Sequence, residues 1–305
     1  MTMVVVFGGT GFLGRRLVRR LTAEKSNVRV AVRHLEEARY ALRAADPGRV
    51  TVHRADVRDR ASVAAAVAGA DAVVNAVSAY VEKGGVTFAA VHEQGAKTVA
   101  QEAAAGGAAR LVMVSGIGAD PASQSRYIGA RGRGELVVRQ AFPGATTVRP
   151  GAMFGMGDAL FGTVADLTRL LPVLPLIGSG TRLQPVYVED VAEAIARMLA
   201  DPRAIGQTYE IAGPRVYTLR ELVTTALRLI GRRRLLVPLP FMVAEILARL
   251  FELLPSPPLT TSQVDLLRAD NLASGAFPGF RELGIQPKAV EEIVPTLYRP
   301  SCAGF

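Results

Sequence analysis

Short apolar runs alternate with longer mixed stretches through the first 150 residues. Short β-branched runs, chiefly Val, fall at 4–7, 28–32, 50–52, 72–77, 111–114 and 146–148, and their brevity and β-branching predict strands. The stretches 15–23, 62–67 and 86–105 between them read as helices. Strands separated by helices must be joined by right-handed crossovers, so the rhythm predicts a doubly wound parallel sheet, α/β, with helices on both faces.

After Arg149-Pro150 the rhythm breaks. Gly and Pro punctuate 151–158, 171–183 and 238–258, and helices are predicted at 160–171, 190–200, 219–230 and 242–254. The expected organisation is a parallel-sheet α/β domain over 1–155 and a smaller, mostly helical C-terminal lobe over 156–305, lying across one end of the sheet. Residues 184–200 are expected to pack back on the first domain. No internal repeat or low-complexity segment stands out.

Composition narrows the class. Of 305 residues half are hydrophobic and 21% charged, which excludes disorder and predicts a sizeable core. No uncharged apolar stretch reaches the ~18 residues of a spanning helix. The start, Met3-Val4-Val5-Val6-Phe7 running into glycines, reads as a first strand and not as a signal peptide, so a cytoplasmic location is expected. One cysteine, Cys302, and three scattered histidines, His34, His53 and His92, make neither a disulfide framework nor a metal motif. The net charge of +9 is carried almost wholly by arginine, the lysines being Lys25, Lys83, Lys97 and Lys288. Such a balance suits an anionic ligand or surface, but no basic stripe interleaved with aromatics points to nucleic acid.

The strongest local signal is Phe7-Gly8-Gly9-Thr10-Gly11-Phe12-Leu13-Gly14, with glycines that follow a buried strand and open a helix. In that context, the Rossmann fingerprint, glycine allows the tight turn and lets the backbone approach a pyrophosphate, which the helix N–H groups then face. The end of the second strand bears on cofactor choice. An NAD site offers a carboxylate there to the ribose 2′-hydroxyl, whereas here Arg33-His34 follow and the first acid is Glu36. Arg33, with Arg15 as a second charge, suits a 2′-phosphate, and NADP(H) is expected over NAD(H). Asp56-Val57 is placed for the adenine edge, and Asn75-Ala76-Val77 for backbone packing beside the cofactor.

These residues resemble the short-chain dehydrogenase/reductase superfamily in its extended or atypical branches, the NAD(P)-dependent epimerase/dehydratase-like proteins. Besides the glycines, the resemblance rests on Tyr127-x-x-x-Arg131, Arg149-Pro150-Gly151-Ala152-Met153-Phe154-Gly155 and Gln184-Pro185-Val186-Tyr187-Val188-Glu189-Asp190-Val191. The runs 114–121, 172–178 and 209–214 look most like the branch of the respiratory complex I nucleotide-binding accessory subunit and its bacterial relatives.

The resemblance implies a Tyr-x-x-x-Lys pair with a Ser or Thr, the tyrosine moving the substrate's proton and the lysine binding the ribose and lowering the tyrosine pKa. Here Tyr127 is present, Arg131 stands at the lysine position and Ile117 at the serine position. Arginine keeps the charge but cannot release a proton near neutral pH, and its planar head differs in shape from an ammonium. Ser115, Ser123 and Ser125 are substitutes for the serine; Ser115, Tyr127, Arg131 and Pro150 are expected beside the cofactor. Gly129, Gly132 and Gly134 are expected to weaken the helix that carries Tyr127, each costing about 1 kcal/mol relative to Ala. Tyr127 reads equally as a proton donor or as a helix tyrosine packed near the cofactor.

In the second half, 241–254 combines Glu245, Arg249 and Glu252 with apolar residues, a narrow polar stripe on an apolar helix. A core or lobe-interface helix is one reading. The preceding Arg232-Arg233-Arg234 raises another, a contact of 232–254 with a membrane surface or membrane complex. Three functions stay open: an atypical relative that holds NADP(H) tightly with weak hydride transfer; an active NADPH-dependent reductase, epimerase or dehydratase using Tyr127; or a membrane-complex accessory or quinone-related protein with a structural nucleotide. The small-molecule substrate is not legible.

Overall fold

A computed structural model describes residues 2–36, 38, 42–170, 172–254, 257 and 259–297. Cys302, and Leu171 and Pro258 at the ends of two stretches named above, lie outside the described residues.

The chain divides into two units. The first comprises Met1–Pro150, Val188–Ile211 and Ser274–Ile285. Its strands are β1 (Met3–Phe7), β2 (Asn27–Val32), β3 (Val50–Arg54), β4 (Ala72–Asn75), β5 (Arg110–Val114) and β6 (Thr146–Pro150), joined by a seventh, Thr208–Ile211. They form one parallel sheet in the order 208–211, β6, β5, β4, β1, β2, β3. The doubly wound expectation holds. The order reverses between β1 and β4, and in such sheets a ligand crevice opens outside the strand ends at that switch.

The central strands β1, β4 and β5 are buried, being built largely of Val with Leu, Met and Phe, whereas the edge strand β3 is half-exposed. Val5, Val6, Val73, Val74 and Val148 have no exposed surface, and burying each contributes about 1.5–3 kcal/mol. On one side Val5, Phe7, Val73, Leu111 and Met113 pack with Val63, Val67, Val99, Ala103 and Val138. Those partners belong to the helices Arg60–Val67, Ala96–Ala105 and Arg126–Ala141, which lie side by side. The helices Gly14–Ala23 and Val188–Ala200 form another pair, tied by Arg20 to Glu193 at 2.6 Å and Arg19 to Glu189 at 2.7 Å.

Two expectations change here. The predicted single helix over 86–105 begins with a π-helical turn, Ala89–Gly95, before continuing as α-helix. The glycines of Arg126–Ala141 are a packing requirement. A Cβ at Gly134 would lie 2.0 Å from the His92 carbonyl oxygen, and one at Gly132 would lie 2.2 Å from the Pro121 nitrogen. Their propensity cost is the condition for seating this helix against the π turn.

The second unit comprises Gly151–Tyr187, Ala212–Ala273 and Gln286–Phe305. Helices Ala159–Leu170, Leu219–Leu229 and Val290–Leu297 share a core of Phe154, Phe161, Leu174, Leu183, Leu222, Val223 and Val294. Short strands pair as 153–154 with 186–187, 182–183 with 217–218, and Val173–Ile177 with Leu235–Leu239. Thr218 with Glu221, and Thr260 with Gln263, close reciprocal boxes at two helix starts. Among the described residues no helix is long and apolar enough to cross a membrane.

Candidate cofactor site

The glycine turn is built by sterics. β1 ends at Phe7, and Gly8 adopts φ +76°, open to glycine without strain. A Cβ there would sit 2.7 Å from the Ala76 carbonyl oxygen, and one at Gly14 would sit 2.0 Å from the Gly8 carbonyl oxygen. The turn closes with the Gly11 N–H donating to the Gly8 carbonyl at 3.0 Å. Val30 lies against Gly9, and Leu13 is buried while Thr10 and Phe12 are half-buried. The helix that follows starts at Gly14 with no side-chain cap and no acid in its first turn, which leaves its amide end without a counter-charge of its own.

Two arginines follow Gly14, and the structure separates them. Arg16 is buried, stacks 4.3 Å from the Phe12 ring centre, donates to the Phe12 carbonyl and pairs with Glu189 at 3.4 Å. Arg15 is half-buried, 5.9 Å from the same ring.

Directly after β2, Arg33 and His34 are exposed, and Asp56 follows the end of β3. Asp56 receives the Arg58 guanidinium on both oxygens, at 2.6 Å on the shorter contact, and the Arg58 backbone N–H at 3.0 Å. Chiefly through that pairing, with the Arg33 charge adding to it, its carboxyl is held below the usual range. Arg33 and Asp56 therefore share one electrostatic neighbourhood, and Arg58, which the sequence reading passed over, is the carboxylate's partner. Val57 is buried against Gly95.

At the end of β4 the buried Asn75 accepts from the Val77 N–H at 3.2 Å, and the Ala76 N–H donates to Phe7 at 3.0 Å. The turn thus holds 75–77 against Gly8. One residue on, Ser78 accepts from Arg131 at 2.9 Å, linking the glycine turn to the tyrosine helix.

Tyr127 is 5% exposed inside an aromatic cluster. Tyr80 stacks on it at 5.4 Å, while Phe88 and His92 meet it edge-on at 5.4 and 5.5 Å. Arg131 is buried, with its guanidinium 4.9 Å from the Tyr127 ring centre and one nitrogen against Gly116. Burial drives the Tyr127 phenol well above its usual range; Arg131 and Ser78 oppose that shift and Tyr80 adds to it. The Arg131 guanidinium stays charged, its burial offset by Tyr127, Tyr80 and Glu135. His92, by burial and then by the Arg131 charge, is lowered to about 4 despite its contact with the Ala79 backbone, and is neutral at pH 7. Ser78, Tyr80 and Phe88 were absent from the sequence reading, which met His92 only as one of three scattered histidines; they belong to the segment after β4 and to the π turn and its start, and only the tertiary fold gathers them.

Beside this cluster the Ser115 hydroxyl and the Arg131 Nε are buried and, among the described residues, without a hydrogen-bond partner. The Ser115 N–H donates to Val148 at 2.7 Å and the Ile117 N–H to the carbonyl of the buried Pro150 at 3.1 Å, so the β5–β6 ladder runs on past the strand end. Ser123 accepts from the Ser125 N–H at 3.2 Å, and the Ser125 hydroxyl is likewise buried without a partner. Tyr187, in the second unit, packs on Phe154 at 5.6 Å with Lys288 over its ring. Among the described residues no cluster could hold a metal ion. The donor set fits a dinucleotide: a glycine turn that a Cβ would fill, an uncapped helix start, and buried polar atoms awaiting partners.

The family described as NAD(P)H-binding matches residues 8–202. The mitochondrial NADH dehydrogenase (ubiquinone) 1 alpha subcomplex subunit 9 of Arabidopsis thaliana is 36% identical over 93% of this chain and 74% of its own. The ceramide reductase of Caulobacter vibrioides is 31% identical over 78% of this chain and 74% of its own. Among solved structures, an NADPH-dependent quinone oxidoreductase from Escherichia coli, complexed with NADPH, superposes with TM-score 0.74 at 19% identity, over 97% of this chain and 100% of its own.

Proposed function

Because the chain belongs to the NAD(P)H-binding family and is similar to the NADH dehydrogenase subunit of Arabidopsis thaliana, we propose that it holds NADP(H) tightly and transfers hydride only slowly. In this reading the nucleotide serves chiefly as a structural or sensing ligand. The carrying observation is the state of Tyr127: buried, raised in pKa, and facing an arginine that is committed to Ser78.

Gly8, Gly9, Thr10, Gly11, Phe12, Leu13 and Gly14 would hold the pyrophosphate on backbone N–H groups. Arg33, with Arg15 and His34, would face a 2′-phosphate, and Asp56 and Val57 the adenine. Asn75, Ala76, Val77 and Pro150 would wall the nicotinamide half, with Ser115 and Arg131 supplying polar contacts. When bound, the nicotinamide supplies or accepts a hydride. The chain's own part is to exclude water with Tyr80, Phe88 and His92 and to keep a proton on the Tyr127 oxygen. A phenol with raised pKa keeps that proton at pH 7 and donates a hydrogen bond to a substrate oxygen, but it returns slowly as a base.

The rival reading is a working reductase, epimerase or dehydratase. It is favoured by the Arg131 charge, which does act on Tyr127 in the required direction. Either way we place the protein in the cytoplasm, acting on or sensing a small molecule, with residues 232–254 available to a membrane or membrane complex. Heat extraction of the purified protein followed by mass identification of released nucleotide tests the reading. Stoichiometric NADP(H) is expected; NAD(H), or no nucleotide, contradicts it.

A further inference from the structure

In the second unit one helix turns its bulky side outward. Along Phe241–Phe251 the buried positions are small, Ala244 and Ala248, packed with Val264, Ile177 and Leu239. The large side chains Met242, Ile246 and Leu250, with Leu253 beyond the helix end, recur every three or four residues and are 55–83% exposed. The preceding strand repeats the inversion. Leu235 and Val237 are exposed at two-residue spacing, and Leu235 stands in register with the exposed Val173 on the paired strand. Exposed aliphatic residues are normal singly, but a run of them along one helix face, with more on the preceding strand, marks an interaction face.

The outward charges on this segment are net positive, Arg233 and Arg249 against the exposed Glu252. Residues 232–254 hold four arginines and two glutamates. Glu245 is bonded to Arg268, and Glu252 accepts from the Thr261 N–H and hydroxyl at 2.8 Å, so both acids are engaged within the unit. Arg232 and Arg234 donate to Thr168, while Arg233, two residues before Leu235, and Arg249, next in the chain to Leu250, are exposed.

We infer that this face docks on the anionic surface of a lipid bilayer, with Met242, Ile246, Leu250 and Leu253 in the acyl boundary and Arg233 and Arg249 on lipid phosphates. The 11-residue helix is about 16 Å long, so it lies in the interface plane and does not cross. A protein partner would be matched by a polar rim of paired donors and acceptors; here Glu245 is paired with Arg268, Glu252 is bonded to Thr261, and the exposed cations outnumber the exposed acid, the complement of an anionic headgroup layer. The inference deepens the membrane contact proposed above and is independent of nucleotide binding.

The test is sedimentation of the full chain with phosphatidylcholine vesicles, plain or containing about 30% phosphatidylglycerol, where partition is expected to be at least ~10-fold greater on the anionic set and to fall in about 0.5 M salt. Met242→Asp with Leu250→Asp should abolish partition, and Arg233→Glu with Arg249→Glu should remove its dependence on anionic lipid. All four positions are exposed, so melting temperature and NADPH affinity should stay at the parent values, which keeps loss of docking apart from failure to fold or to bind nucleotide. No partition, or equal partition on both vesicle types, overturns the inference. A dimer that the aspartate pair disperses, in a protein that ignores vesicles, overturns it in favour of a second copy on this face.

Discussion

Arg131 places its guanidinium 4.9 Å from the centre of the Tyr127 ring and spends one N–H on Ser78 at 2.9 Å. The cation is near enough to favour the phenolate, yet burial of the ring outweighs it and the phenol is raised. On the proposed function, that balance slows the return of a proton to Tyr127. Tyr127→Phe is therefore expected to leave NADPH affinity within about two-fold while abolishing whatever slow turnover a carbonyl-substrate screen detects, since only the hydroxyl is lost. A large affinity loss would show that the phenol is a binding group first.

The glycine turn makes a graded prediction. A Cβ at Gly14 would lie 2.0 Å from the Gly8 carbonyl oxygen, whereas at Gly11 it would lie 3.2 Å from the same atom. Gly14→Ala should lose nucleotide binding and about 1–3 kcal/mol of stability through overpacking. Gly11→Ala should change stability by less than about 1 kcal/mol. Chemical denaturation of the two variants reads the difference.

His92 gives the pH dependence a direction. Its folded pKa, about 4, lies below its unfolded value of 6.5 because burial disfavours the charged ring. Between those values the unfolded chain binds the extra proton, so the contribution is present above pH 6.5, falls as pH drops and is fully lost near pH 4. The separation corresponds to about 3 kcal/mol. Melting temperature followed over this window should fall in the parent protein, and the fall should be shallower in His92→Gln.

Arg149 is the structural counterpart of Arg131. It bonds Glu135 at 2.6 and 2.9 Å and lies 3.8 Å from Glu210, both acids being buried. Arg149→Met leaves two buried carboxylates short of a cation and should cost about 3–5 kcal/mol, measured by denaturant unfolding. Nucleotide affinity of the surviving folded fraction should change little.

The parallel sheet and the glycine turn were legible because they are local: Val4 to Phe7 and Gly8 to Gly14 carry strand, turn and helix start within twelve residues. The strand Thr208–Ile211 escaped the periodicity reading, since Ile211 is its only aliphatic residue and it joins the sheet only by pairing with β6. The aromatic cluster was illegible for a similar reason: Tyr80, Phe88, His92 and Tyr127 are spread over 48 positions and meet only once Gly134 lets the helix close on His92. The outward Met242, Ile246 and Leu250 were visible as apolar positions, but their direction depends on Ala244 and Ala248 packing inward.

The most direct measurement is a nicotinamide-fluorescence titration of the nucleotide-free protein with NADPH and NADH, run in parallel on Arg33→Ala. The account predicts NADPH at least ~10-fold tighter than NADH, about 1.4 kcal/mol, with that preference erased in the variant. Preference for NADH, or an NADPH preference that survives without Arg33, would contradict it.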